Sequence, residues 1–181
     1  MRRGGTWLQR WRVPLGFLCA AVFLLLAKPT RPALIAGACV SLVGLAIRAW
    51  AAGHIRKNAQ LATSGPYAYT RNPLYLGSFL LGLGFTIASG RLVLGLLFAA
   101  LFLGIYLPVM RVEASTMAEL FGNEYETYRR TVPLFFPRLT QFRQGETTRF
   151  DGALYLRYRE YRAALGLIIA WGILLIKTYY F

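Results

Sequence analysis

Residues 74–110 read LYLGSFLLGLGFTIASGRLVLGLLFAALFLGIYLPVM, a stretch in which Arg91 is the only charged side chain. The Gly90-Arg91 break divides it into two uncharged runs, 74–89 and 92–110, each close to the ~20 residues needed to span hydrocarbon. The pair predicts a helical hairpin within a membrane. Ser78 with Gly82 and Ala100 with Gly104 read as helix-packing pairs, since small residues four apart let helices approach closely. Gly82-Leu83-Gly84 is no dinucleotide fingerprint, because the third glycine is missing and no strand precedes it. Pro108 is expected to kink the second helix of the hairpin near its end.

Composition agrees with this class. Of 181 residues 56% are hydrophobic and only 15% charged, with a mean hydropathy of +0.45, too apolar for an ordinary soluble domain. The formal charge of +14 does not point to nucleic acid, since the basic residues sit at the ends of the apolar runs. Cys19 and Cys39 fall inside such runs without metal-ligand spacing, so neither a disulfide framework nor a metal site is expected.

Upstream, 13–27 and 33–47 form a second apolar pair around the turn Lys28-Pro29 and Arg31-Pro32. Arg2, Arg3, Arg10 and Arg12 give the start the look of a signal peptide, but no cleavage pattern follows and another apolar run begins at once. Ala33, Gly37 and Ser41 make a small-residue face, and Arg48 is expected to snorkel in preference to facing a polar cavity. Downstream, all seven acidic residues lie in 111–162, where Gly122 interrupts a helical pattern of Leu120, Phe121, Tyr125 and Tyr128 and where Pro133 and Pro137 bracket an aromatic loop. A last run, 163–176, ends in Lys177 and an aromatic tail that extend it to a fifth span. The expectation is one all-α integral membrane domain over 1–181, with about five transmembrane helices near 12–28, 32–52, 73–89, 91–111 and 161–180. Site regions at 54–72 and 111–160, the latter with a short helical segment, then share one face. With the N-terminus cytoplasmic, seventeen Lys and Arg fall on that side and four opposite, so both site regions are placed in the cytoplasm.

The connection between the two hairpins carries the chemistry. In TSGPYAYTRNPLYLG, residues 63–77, Gly65-Pro66 signals a turn, and Asn72-Pro73 signals a second turn that suits a helix start. Tyr67, Tyr69, Arg71 and Tyr75 put an arginine among aromatic faces at the mouth of a membrane helix. That arrangement suits either a polar ligand with a carboxylate or phosphate, or an interfacial anchor. Lone His54 is read more readily as structural than as a ligand contact.

Ser64-Gly65-Pro66-Tyr67, Arg71-Asn72-Pro73-Leu74-Tyr75-Leu76-Gly77, Arg111-Val112-Glu113 and Phe121-Gly122-Asn123-Glu124-Tyr125, with Tyr128 and Pro133, together resemble the isoprenylcysteine carboxyl methyltransferase and phospholipid methyltransferase superfamily. The resemblance covers roughly residues 48–138. It implies a helical membrane fold, S-adenosyl-L-methionine as cofactor, and methyl transfer to a lipid or lipid-attached acceptor at the cytoplasmic surface. On that reading Arg71 and Glu113 are the catalytic residues, and His54, Gly65, Pro66, Tyr67, Arg71, Asn72, Pro73, Tyr75, Glu113, Tyr125 and Tyr128 bind the cofactor, with no metal, no nucleic acid and no defined oligomer.

Two positions depart from the family pattern. Asn72 stands where a histidine is usual, and Ala114 where a second glutamate is usual, so a group acting on the acceptor is missing from the motif. A carboxylate acceptor needs no deprotonation near neutral pH whereas an amine does, which leaves the acceptor open. Two rival classes stay in view: an NADPH-dependent reductase of the sterol reductase type, with Arg129 and Arg130 holding the phosphate, and a non-enzymatic membrane scaffold.

Overall fold

The computed structural model describes residues 7–56, 60–143 and 148–180, with side chains from Pro14 onward. The side chains of Arg2, Arg3, Arg10, Arg12, Lys57 and Glu146 therefore lie outside what is described, and with them part of the charge count used to orient the chain.

The described chain is all-helical, as the apolar runs require. Helix α1 spans Trp7–Leu26, α2 Arg31–Ala52 and α3 Pro73–Ser89. Helix α4, Leu92–Leu101, passes through a π-helical segment, Phe102–Tyr106, into α5, Leu107–Thr131. Short α6, Gly152–Arg157, precedes α7, Tyr161–Tyr180. Three helical stretches are long and apolar enough to cross a membrane, Arg31–Ala52, Leu92–Thr131 and Tyr161–Tyr180, and two apolar helices are shorter, Pro14–Leu26 and Pro73–Ser89. This is an integral membrane architecture of about five spans.

Helix ends follow local chemistry. Thr30 caps α2 by accepting from Ala33 N at 3.4 Å, and Gly90 closes α3 in the left-handed region at φ 62°, where a side chain would be strained. The distortion expected at Pro108 appears one turn earlier, as the π segment, because a proline lacks the amide that would bond the carbonyl four residues back. Helix α5 breaks at Gly122, with φ 51° and ψ −125°, which kinks its last part away from the line of the rest.

The tightest helix pair is α2 against α3, and its register differs from the sequence expectation. Gly37, Ser41 and Gly44 are buried against Gly84 and Gly77, so that a Cβ at Gly37 would land on the Gly84 carbonyl and one at Gly44 would lie 2.6 Å from the Gly77 carbonyl. Ser78 and Gly82 do not form that seam. Ser78 accepts from Arg48, while Gly82 faces Phe98. A Cβ at Gly104 would meet nothing within 4 Å. At the far end of the bundle Lys177 Nζ donates to the Leu24 and Leu25 carbonyls at 2.9 and 2.8 Å, satisfying the C-terminus of α1, and Arg31 lies 5.0 Å from the Tyr179 ring centre. Cys19 and Cys39 are free thiols.

Candidate functional site

At the opposite end the inter-hairpin loop is fixed by hydrogen bonds to the backbone of the segment after α5. Arg71 N donates to Pro133 O at 3.0 Å, Asn72 Nδ2 to Leu134 O at 2.9 Å, and Thr70 Oγ1 to Phe135 O at 2.8 Å. Arg138 N and Phe142 N donate in turn to the Tyr69 and Ala68 carbonyls, and Tyr128 Oη to Tyr67 O at 2.7 Å. Asn72 therefore does not cap α3 through its side chain, as its position before Pro73 suggests. Its amide is committed to the loop, and its own N–H reaches Thr70 Oγ1. Below this seam Leu61, Ala68, Tyr125, Tyr128, Val132 and Phe142 form a buried cluster that holds two distant segments together.

The fixed loop, α3 and α5, with residues of α1 and α2, line an open cavity of about 780 Å³. Arg71 and Glu113 both line it, as do Tyr67, Asn72, Pro73, Tyr75, Tyr125 and Tyr128. Arg71 Nη1 donates to Tyr125 Oη at 2.9 Å, and the guanidinium carbon lies 5.9 Å from that ring's centre. Its Nε is buried without a partner. Tyr75 Oη donates to Glu113 Oε1 at 2.8 Å, and the Tyr75 ring meets Tyr106 edge-on at 5.8 Å. Tyr67 is 6% exposed and its hydroxyl is a second buried group without a partner. Burial pushes its phenol well above the ordinary tyrosine range; Tyr128, Glu160 and Tyr158 add to the shift and Arg48 opposes it, so the hydroxyl is a neutral donor.

Three sequence candidates do not line the cavity. His54 is buried, with Nδ1 2.9 Å from Trp50 O and its ring between Phe150 and the turn. Gly65 opens that turn at φ 58° and presses on the imidazole, so a Cβ there would approach His54 Cδ2 to 2.5 Å. Pro66 is buried beside it. These residues shape the loop from behind.

Arg48 corrects the snorkelling expectation. It turns into the cavity and forms a bidentate pair with Glu160, with Nη2 2.9 and 2.7 Å from the two carboxylate oxygens, and Nη1 also reaches Ser78 Oγ at 2.5 Å. Glu160 belongs to none of the sequence motifs. Its only signal in the sequence is an ionisable group just before an apolar run. It brings a second carboxylate to the cavity from another part of the chain, while Ala114, where the motif would have one, lines the same wall as a methyl group. Among the described residues no three His, Cys, Asp or Glu side chains are grouped to hold a metal ion.

A family model described as phospholipid methyltransferase matches residues 34–124, which contain the loop, α3 and α5 as far as its kink. The chain belongs to this family. It is 35% identical over 149 residues to the cobalt-zinc-cadmium resistance protein CzcN of Cupriavidus metallidurans, covering 81% of this chain and 58% of that protein. It is 32% identical over 123 residues to the protein-S-isoprenylcysteine O-methyltransferase of Schizosaccharomyces pombe, covering 68% and 48%. It is 35% identical over 71 residues to the methanethiol S-methyltransferase of Crocosphaera subtropica, covering 39% and 27%. The chain thus spans about half the length of the first two relatives, and no solved structure matches it.

Proposed function

We propose that this protein transfers a methyl group from S-adenosyl-L-methionine to a lipid or lipid-attached acceptor at the cytoplasmic face of its membrane. The observation that carries the reading is the Arg71 guanidinium and the Glu113 carboxylate lining one aromatic cavity, with Arg71 Nε still seeking an acceptor. The residues present suit the cofactor. Arg71 would bind its carboxylate, Glu113 with Tyr75 its ammonium, and the Tyr75, Tyr106 and Phe121 side chains its adenosyl and sulfonium parts. When bound, the group supplies an electrophilic methyl on a positively charged sulfur. The protein's part is alignment and exclusion of water, which together account for catalysis without a covalent enzyme intermediate.

A lipophilic acceptor is supported by the other wall of the cavity. Gly16, Phe17 and Ala20 of α1 line it, all apolar, with Phe17 largely exposed on the outer surface of the bundle. Cytoplasmic placement rests on the seventeen-to-four division of basic residues.

Purified protein should be thermally stabilised by S-adenosylhomocysteine and not by NADPH, because a selective ligand stabilises the native state by mass action. Arg71→Lys keeps the charge but loses the planar fork, and should weaken S-adenosylhomocysteine by about 1–3 kcal/mol in a calorimetric titration. Unchanged affinity would remove Arg71 from the cofactor site. Stabilisation by NADPH alone would overturn the methyltransferase reading.

A further inference from the structure

The loop after α5 exposes two large apolar side chains. Phe136 is 74% exposed and Leu139 99% exposed, although their neighbours are firmly held. Phe135 packs at 5.6 Å on Phe79 and at 5.4 Å on Phe102, and its carbonyl accepts from Thr70. Phe79 lies six residues into α3, ~9 Å along its axis from Pro73, and Phe102 lies nine residues, ~13 Å, before Arg111. Both are within the apolar part of their helices, so the loop is pinned below the level of the helix ends at Phe135, and it returns to the level of the inter-hairpin loop at Arg138 and Phe142, which donate to Tyr69 and Ala68. Residues 127–143 carry Arg129, Arg130, Arg138 and Arg143, of which Arg129 is paired with Glu126 at 2.6 Å.

We propose that Phe136 and Leu139 form a wedge seated in the lipid leaflet, with the surrounding arginines recognising anionic headgroups. The depth fixed by Phe135 selects lipid as the occupant. An exposed phenylalanine next to that depth and an exposed leucine at the interface beside it gain by leaving water, while arginines of the same loop can reach phosphates through their long stems. The wedge is not isolated from the site. The carbonyls of Pro133, Leu134 and Phe135, immediately before Phe136, hold Arg71, Asn72 and Thr70. Seating the loop in lipid therefore steadies the arginine wall of the cavity. The inference does not depend on the reaction proposed above.

The test uses the full chain in nanodiscs, with Cys19 and Cys39 replaced by Ala and an environment-sensitive fluorophore on Leu139→Cys, repeated on Phe136→Cys. A separate Cys19→Ala variant labelled at Cys39, which is exposed on α2, serves as the lipid-facing reference. The labels should be quenched by brominated phosphatidylcholine as strongly as the Cys39 reference and be shielded from aqueous iodide. Brominated phosphatidylglycerol should quench more strongly than brominated phosphatidylcholine. Arg143→Ala should reduce that preference about fivefold, the equivalent of ~1 kcal/mol per basic residue at an anionic surface. Labels untouched by brominated lipid would overturn the wedge, whether they are open to iodide or shielded from it by a second copy of the chain. Equal quenching by the two lipids would overturn the anionic assignment.

Discussion

Replacing Tyr67 by Phe removes one oxygen from the cavity wall and leaves the packed ring in place. That oxygen is buried and has no hydrogen-bond partner in the ligand-free protein, while the ring and backbone around it are tightly held by Tyr128 and the 3₁₀ turn Gly65–Ala68. An unsatisfied buried polar group costs about 1–3 kcal/mol, and the low end applies at the edge of a cavity. Tyr67→Phe should therefore stabilise the ligand-free protein by about 1 kcal/mol, a rise of about 2–4 °C in melting temperature for a chain of this size. If the hydroxyl donates to bound cofactor, as a neutral phenol would, the variant loses a bond worth about 1–2 kcal/mol and binds S-adenosylhomocysteine about 5–30-fold more weakly. Thermal denaturation in detergent, with and without saturating S-adenosylhomocysteine, reads both effects at once. The variant should melt above wild type without ligand and gain less from it. A lower melting temperature without ligand would mean that the hydroxyl is structurally bonded, and would refute the reasoning.

Glu113→Gln should preserve the melting temperature of the ligand-free protein and lower S-adenosylhomocysteine affinity by about 1–3 kcal/mol in a calorimetric titration, through loss of an ammonium partner. Arg48→Met leaves Glu160 facing the cavity without its guanidinium and should destabilise by about 2–3 kcal/mol, less than the ~3–5 of a fully buried pair because both side chains are partly exposed. Adding Glu160→Gln should restore most of that loss in chemical denaturation, and the absence of rescue would show that the pair is not coupled. Gly84→Ala puts a methyl against Ser41 Oγ and the Gly37 carbonyl, and should cost about 1–3 kcal/mol of thermal stability by forcing α2 and α3 apart. The equivalent change at Gly104, which meets nothing, should be neutral in the same assay.

Much of this molecule follows from sequence alone. The uncharged runs at 74–89 and 92–110 determine helices in a membrane, because their length and lack of charge leave no soluble alternative. Gly122 marks the break in α5, and the motif residues from Tyr67 to Tyr75, with Glu113, mark the family. These signals are local, since each depends on the composition or conformational freedom of a few neighbouring residues. The tertiary structure decided what depends on distance. Only folding shows that Gly37, Ser41 and Gly44 meet Gly77 and Gly84, that His54 supports the loop from behind, and that Arg48 turns inward. Glu160 lies 112 residues from Arg48 and in no motif, yet the start of α7 delivers it to the same cavity. Pairings of this kind are set by helix packing and by a loop hydrogen-bonded to a segment more than 60 residues away, and no spacing within either segment encodes which partner it will meet.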